Sequence, residues 1–225
     1  MSATATATAT AGGGDFVLQT ATLVQHWLAE LSEVRPIFHS EADFQFALSR
    51  VMADSGVERV RLERRVRLGE DRIMQPDITG YLDGQPFVLE LKYPKEKFVG
   101  TVRTEGHDED FNLSTGEPGL IYIWKDVERI EALLRSGLVV AGAAITLTNF
   151  KLWLENKRPN QLSEFQLFDG RALDANAPLE LPVGTTWAPD GIKIELASPY
   201  RCEWHPYSTL EGTEFRYLIL EPTAF

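Results

Sequence analysis

The chain has 225 residues, 44% of them hydrophobic, with 22 Lys and Arg against 33 Asp and Glu, a net charge of −11. That is a globular composition long enough to bury a sizeable core, and too acidic to coat nucleic acid non-specifically, although one local basic patch remains compatible with it. One cysteine, Cys202, excludes an internal disulfide framework and fits a reducing, cytoplasmic setting. The longest apolar run, residues 137–145, falls well short of the ~20 residues a membrane-spanning helix needs. The first residues lack the basic start and apolar middle of a signal peptide, so no membrane partner is expected.

Residues 1–14 alternate Ala and Thr and end in three glycines. They have too little bulk to offset their ordering entropy and are expected to form a disordered tail. Residues 15–34 carry Phe16, Thr20, Leu23, Val24, Trp27, Leu28 and Leu31 at helical spacing, closed by Arg35-Pro36. A second helix opens at Ser40, where Ser40 and Asp43 resemble a capping box. Phe44, Ala47, Leu48, Val51 and Met52 form its stripe, and Gly56 ends it.

From Val57 the period changes to two. Val60, Leu62, Arg64, Val66 and Leu68 alternate with charged residues, which predicts a strand ending near Gly69. A second strand is expected over residues 72–82, then the hairpin signal Asp83-Gly84, then a third strand over 85–93. Residues 94–119 are polar and contain an acidic cluster, Glu105, Asp108, Glu109 and Asp110. They read as a long mobile loop, with room for a short element at 120–124. A third helix is expected from Asp126, with Val127, Ile130, Leu133 and Leu134 buried and Gly137 as its cap. A buried strand follows over 141–148, with another expected over 151–155. Beyond residue 156 short strands are expected at 164–168, 192–197, 200–204 and 215–221. The organisation is thus a tail (1–14), a core (15–155) and a β-rich extension packed on it (156–225).

The stretch that carries chemistry is Pro76-Asp77, twelve residues, then Glu90-Leu91-Lys92. With Asp83-Gly84 as a two-residue turn, Leu82 pairs with Gln85, Tyr81 with Pro86 and Gly80 with Phe87. The same register puts Asp77 opposite Glu90, in a pair without mutual hydrogen bonds, where α-carbons approach to ~4.5 Å. Two facing carboxylates repel, so a cation belongs there. Lys92 shares the face of Glu90, while Phe87, Leu89 and Leu91 point the other way, into the core. A hard divalent ion, Mg²⁺ or Mn²⁺, held by Asp77, Glu90 and the Leu91 carbonyl would neutralise the pair better than a lysine alone. Such an ion polarises a phosphate oxygen and activates water, and Lys92 would orient or help deprotonate that water and stabilise charge on the phosphate. Glu41, in the first turn of the second helix, supplies a third carboxylate, with Gln45 one turn along the same face. Either reaches the ion through water.

The order helix, three-strand meander, helix, strand, with P-D and E-L-K on strands two and three, resembles the PD-(D/E)xK nuclease superfamily, the restriction-endonuclease-like fold. The likeness to that core spans residues 40–149. More narrowly, the chain is similar to a widespread group of bacterial members through S-E-A-D-F-Q (40–45), P-D-I (76–78), L-E-L-K-Y (89–93), K-D-V-E-R-I-E (125–131), I-T-L-T-N (145–149) and F-R-Y-L (215–218). The resemblance implies an α/β protein with a mixed sheet and a β-rich C-terminal elaboration. It implies a metal-dependent phosphodiesterase acting on nucleic acid, DNA first, by direct attack of water. Asp77, Glu90 and Lys92 would take the catalytic roles and Glu41 would add a ligand. Many enzymes of this fold cut both strands by pairing two subunits, so the resemblance admits a homodimer. No Gln-x-x-x-Tyr pair follows Lys92, so the exonuclease branch that uses one is not indicated.

Arg59, Arg61, Arg65 and Arg67 share one face of the first expected strand, with Glu63 between them, either as a phosphate-contacting patch or as a solvated face that discourages edge pairing. Lys95 and Lys97 either track a nucleic-acid backbone or solubilise the loop. Arg201, Trp204, His205 and Tyr207 form either a base-stacking ledge or, for Trp204, core. His107 among acids invites a metal-ligand reading, but a lone loop histidine is most simply exposed, and Cys202 is most simply a small buried residue. The rival to a nuclease is a catalytically silent protein of the same fold that docks a basic partner through its acidic surface, in a defence or repair assembly. A hydrolase of RNA or nucleotides is a third reading.

Overall fold

The computed structural model describes residues 13–70, 72–116, 119–155, 162–185, 188, 190–223 and 225, with side chains from residue 20 onward. The tail expected over 1–14 therefore lies outside the described residues except for Gly13 and Gly14, which open a helix. That helix, α1 (Gly13–Val34), is followed by α2 (Glu41–Asp54). Ser40 caps α2 as its spacing predicts: its hydroxyl accepts from Asp43 N at 3.1 Å. Of the expected α1 stripe, Thr20, Val24, Trp27, Leu28 and Leu31 are buried and Leu23 partly so, while the Phe16 side chain lies outside the described residues.

The expected first strand is broken into β1 (Glu58–Leu62) and β2 (Val66–Leu68), and the expected second into β3 (Arg72–Met74) and β4 (Ile78–Leu82). Arg59 (φ 51°) and Glu63 (φ 49°) take left-handed backbone. The first makes a bulge in the β1–β4 pairing and the second ends β1. β2 and β3 form a separate two-stranded ribbon. Strand β5 (Gln85–Lys92) returns from β4 through Asp83 (φ 50°) and Gly84 (φ 76°), as an Asp-Gly turn demands. The register is the expected one, with Leu82 opposite Gln85 and Ile78 opposite Leu89.

The expected mobile loop is instead a hairpin, β6 (Phe98–Thr104) and β7 (His107–Leu113), turning at Glu105-Gly106. It is docked by Phe98, Val102, Phe111 and Leu113, which join the core beneath α1 and α2. Its acidic side chains are partly answered by Arg35, His39 and Arg103. Helix α3 (Leu120–Arg135) starts six residues earlier than expected, absorbing the short element at 120–124. β8 (Ala141–Thr148) follows, then a short helix α4 (Lys151–Leu154) where a strand was expected. A 3₁₀ turn at Ser163–Phe165 replaces the start of the strand expected at 164–168, and residues 166–168 form no strand. The remaining strands are β9 (Ala172–Leu173), β10 (Pro178–Leu181), β11 (Ile192–Glu195), β12 (Tyr200–Arg201), β13 (Trp204–Leu210) and β14 (Thr213–Leu220).

The molecule is a mixed α/β protein built on a six-stranded sheet, ordered β1-β4-β5-β8-β14-β13. Only β5 and β8 are parallel; every other neighbouring pair is antiparallel. The C-terminal segment is thus not only packed on the core: β14 and β13 continue the central sheet. α1, α2 and the β6–β7 hairpin cover one face. α3 and the C-terminal ribbons cover the other. With both faces covered, every residue of β8 is buried, which explains its run of small and apolar residues.

α3 is drawn tightly onto β8. A β-carbon built on Gly142 would lie 2.7 Å from Ile130 Cγ2 and 2.9 Å from Val88 Cγ2. On the same helix Glu131, fully buried, accepts from Ala197 N (2.7 Å), Ser198 N (2.9 Å) and the Tyr200 hydroxyl (2.7 Å), tying the C-terminal segment to α3. No helix among the described residues is long and apolar enough to cross a membrane.

Gly142→Val should overpack this contact and lower stability by about 1–3 kcal/mol, measured by urea denaturation. A second expectation concerns Glu221, just past β14, whose carboxyl burial pushes up to about 8, against a backbone hydrogen bond from Ala21. An acid raised in the folded state contributes full stability below its ordinary value of 4.5 and loses it as pH rises to about 8. Glu221→Gln should therefore leave the thermal midpoint unchanged at pH 4 and raise it at pH 8.

Candidate functional site

β4 stops one residue short of Asp77, which sits at a bend after Gln75-Pro76. The ladder therefore ends at Ile78–Leu89, and the Asp77–Glu90 pair implied by the register is not a ladder pair. The Asp77 side chain continues the ladder in place of backbone: its Oδ2 accepts from Leu91 N at 2.6 Å. Its own carbonyl accepts from Gln45 Nε2 (2.7 Å) and Glu63 N (2.9 Å). Gln45 thus holds the Asp77 main chain.

Glu90 and Lys92 share a face of β5, as alternation requires, and that face lies against α3. Phe87, Leu89 and Leu91 join the opposite core. Glu90 is 1% exposed. Arg129 Nη2 lies 2.9 Å from its Oε1 as an ion pair, outside hydrogen-bonding geometry. Neither Glu90 oxygen has a hydrogen-bond partner among the described residues. Burial, reinforced by Asp126 and Asp77 and opposed by Arg129 and Lys92, pushes the Glu90 carboxyl up to about 9. Asp77 is close enough for its charge to act on Glu90, Lys92, Glu41 and Asp126.

Lys92 Nζ lies 2.9 Å from Asp126 Oδ2 and 3.7 Å from Glu41 Oε1, and donates to the carbonyl of Leu91 at 2.8 Å. Burial pulls its amine down, but Asp126, Glu41 and Asp77 outweigh that and hold it above the ordinary lysine range. Glu41 Oε2 accepts from Tyr93 N at 2.9 Å. Burial raises the Glu41 carboxyl, and Lys92 and the Tyr93 N–H oppose it. Asp126 Oδ1 lies 3.0 Å from Arg129 Nη1, and Arg129 Nη2 donates to the Gln75 carbonyl at 2.9 Å. The Asp126 carboxyl is raised by burial, against Lys92 and Arg129. The result is a chain in which acidic and basic side chains alternate: Glu41, Lys92, Asp126, Arg129, Glu90.

Asp126 and Arg129 are the members that sequence reasoning missed. A signal was present. Ile123, Val127 and Ile130 form a buried stripe on α3, and Asp126 is an acid set within it, 4% exposed. An acid on the apolar side of a helix needs a cation, and Arg129 three residues on is one.

The other expected contacts are dispersed. Because β1 and β2 are separate strands, Arg59, Arg61, Arg65 and Arg67 do not share one strand face. All four are exposed. Arg59 lies over the Tyr81 ring at 5.4 Å, and Arg61 donates to the Val60 carbonyl at 2.8 Å. Lys95 is half-buried, 5.1 Å from the centre of the Tyr93 ring, while Lys97 is exposed. No stacking ledge exists at 201–207. Trp204 and Tyr207 are buried, with Trp204 Nε1 donating to the Leu167 carbonyl at 2.6 Å and the Tyr207 hydroxyl to that of Arg35 at 2.7 Å. Their alternation turns both rings into the sheet's covered faces. Cys202 is buried.

Among the described residues no three His, Cys, Asp or Glu side chains are arranged to hold a metal ion. Glu90, whose two oxygens lack hydrogen-bond partners among the described residues, and half-buried Asp77 would be the two carboxylates of a donor set. Two carboxylates, with water and substrate phosphate completing the shell, are what Mg²⁺ usually takes from a protein. The Leu91 carbonyl is already engaged by Lys92, and one Glu41 oxygen by Tyr93. Comparison of the chain with protein-family models, with curated proteins and with solved structures found no match.

Arg129→Ala should leave Glu90 and Asp126 without their shared cation and cost on the order of 1–3 kcal/mol. Glu90→Gln placed on top should recover part of that loss, because a neutral amide does not need the guanidinium. A urea-denaturation double-mutant cycle measures the coupling.

Proposed function

We propose that this protein is a metal-dependent nuclease that hydrolyses phosphodiester bonds, with DNA as the first candidate substrate. The observation that carries the reading is that the charges of Asp77 and Lys92 both act on Glu90, a buried glutamate whose oxygens have no hydrogen-bond partner among the described residues. With the β2–β3 ribbon and the β6–β7 hairpin taken as insertions, the order α2, β1, β4, β5, α3, β8, with β8 parallel to β5, is the order a restriction-endonuclease-like core requires and supports the same reading.

Asp77 and Glu90 would hold Mg²⁺ or Mn²⁺, with Glu41 contributing through water. Bound there, the ion supplies Lewis acidity toward a phosphate oxygen and a more acidic water. Lys92, positioned by Asp126, presents its ammonium to the attacked phosphate and offsets the charge that develops on it. Arg129 pairs with both Glu90 and Asp126 and offsets their mutual repulsion. Gln45 fixes the main chain of Asp77, hence the direction of its carboxylate. The exposed arginines of β1 and of the β2–β3 ribbon, which runs directly into Pro76-Asp77, are suited to flanking phosphates.

A second reading rests on a specific observation. The acids are already matched internally by Lys92 and Arg129, an arrangement equally suited to a silent site in an acidic protein that works by docking a partner.

One assay separates the two. Plasmid, linear duplex, single-stranded DNA and RNA are incubated with the protein in Mg²⁺, Mn²⁺ or EDTA. Cleavage should require the metal, and Asp77→Ala or Lys92→Ala should lower its rate by about 10²–10⁴-fold. Wild-type protein that cuts nothing in either metal, or variants that cut as well as wild type, would leave the silent reading in place.

A further inference from the structure

Tyr122 belongs neither to the core nor to the charge chain. It lies in the first turn of α3 with 57% of its surface exposed, while Leu120, Ile121, Ile123 and Trp124 around it are all buried. The spacing 122, 126, 129 puts it on the same stripe of α3 as Asp126 and Arg129. α3 is the crossover between the parallel strands β5 and β8, so it runs back along the sheet and its first turn lies at their C-terminal ends. That is the end that carries Glu90 and Lys92. The ring therefore stands one helical turn outward from Asp126, whose carboxylate contacts Lys92 at 2.9 Å. Lys125 Nζ lies 5.6 Å from the ring centre. A largely exposed ring, with an amine over one face and a phosphate-suited site one turn away, is the arrangement that single-stranded nucleic acid uses: base on the ring's other face, phosphate on amine.

We propose that Tyr122, with Lys125 beside it, is a stacking subsite for the unpaired base next to the phosphodiester held at Asp77, Glu90 and Lys92. The inference rests on the nuclease reading of that site and narrows its substrate to single-stranded nucleic acid or a frayed duplex end. A base inside an intact duplex is already stacked on both faces and has none free for the ring. The subsite does not read sequence, because every base offers the same kind of face.

Fluorescence anisotropy tests this with the full chain, in EDTA and again in Mg²⁺. Three labelled probes are used: a short single-stranded DNA, the same strand with abasic sites throughout, and the blunt duplex. Wild type should bind the intact single strand, and Tyr122→Ala should weaken that binding by about five- to hundredfold. Tyr122→Phe should bind as wild type does. The abasic strand should bind wild type about as weakly as the intact strand binds Tyr122→Ala, a comparison that needs no variant to fold. Duplex binding should not respond to Tyr122→Ala. The proposal is overturned if wild type binds no single strand, if abasic and intact strands bind wild type alike, or if Tyr122→Ala lowers duplex and single-strand binding equally. Tyr122-dependent binding without metal-dependent cleavage would leave the stacking subsite standing and remove the catalytic reading. Cleavage with binding indifferent to Tyr122 would do the reverse.

Discussion

A carboxyl group enclosed between a sheet and a helix is the constraint that organises this molecule. Glu90 sits in the middle layer, under α3, with almost no contact with water. A buried carboxylate is tolerated only if it is neutralised, paired or bound to a cation. Arg129 supplies a partner, but it must itself be held, and Asp126 and the Gln75 carbonyl hold it. Asp126 in turn needs Lys92, and Lys92 is flanked by Glu41. Each member of the chain is required by the one before it. Helix α2, strand β5, helix α3 and the segment before β4 are thereby tied to one point.

That point coincides with a break in the backbone ladder. Asp77 leaves the strand, and its side chain takes over the hydrogen bond to Leu91 N that a continuing β4 would have made. The main chain of Asp77 is fixed separately by Gln45 and Glu63. A carboxylate with one oxygen committed and its backbone anchored is well oriented for binding, which is the physical basis of the metal-dependent reading. The same economy explains the alternative reading, because cations from the chain itself already stand beside the acids. The two differ in whether an external ion and substrate displace or supplement those cations.

Much of this was legible in the residues. The Asp-Gly turn set the β4–β5 register, and alternation then put Glu90 and Lys92 on one face and Leu89 and Leu91 on the other. Helix stripes marked α1 and α2, and the Ser40 cap marked where α2 begins. The β6–β7 hairpin was less legible because its strands are largely polar, yet its Glu-Gly turn repeats the geometry of Asp83-Gly84. The arginine-rich stretch was misread as one strand because nothing in its pattern announces left-handed backbone at Arg59 and Glu63. Trp204 reads as core before it reads as a stacking ledge, and is core; the burial of Tyr207 follows from β13 extending the sheet, which its own pattern does not announce.

On β5, where the strand is regular, local sequence therefore determined which side chains share a face, since that depends only on backbone period and on the two-residue turn before it. It also determined the candidate chemistry of Asp77, Glu90 and Lys92. Tertiary structure alone decided what lies opposite that face. Asp126 and Arg129 arrive there from more than thirty residues along the chain, because α3 packs closely on Gly142 and Val88. Burial and the pairing of distant charges depend on that packing, and neither periodicity nor composition encodes the distance between two elements that meet only when the core closes.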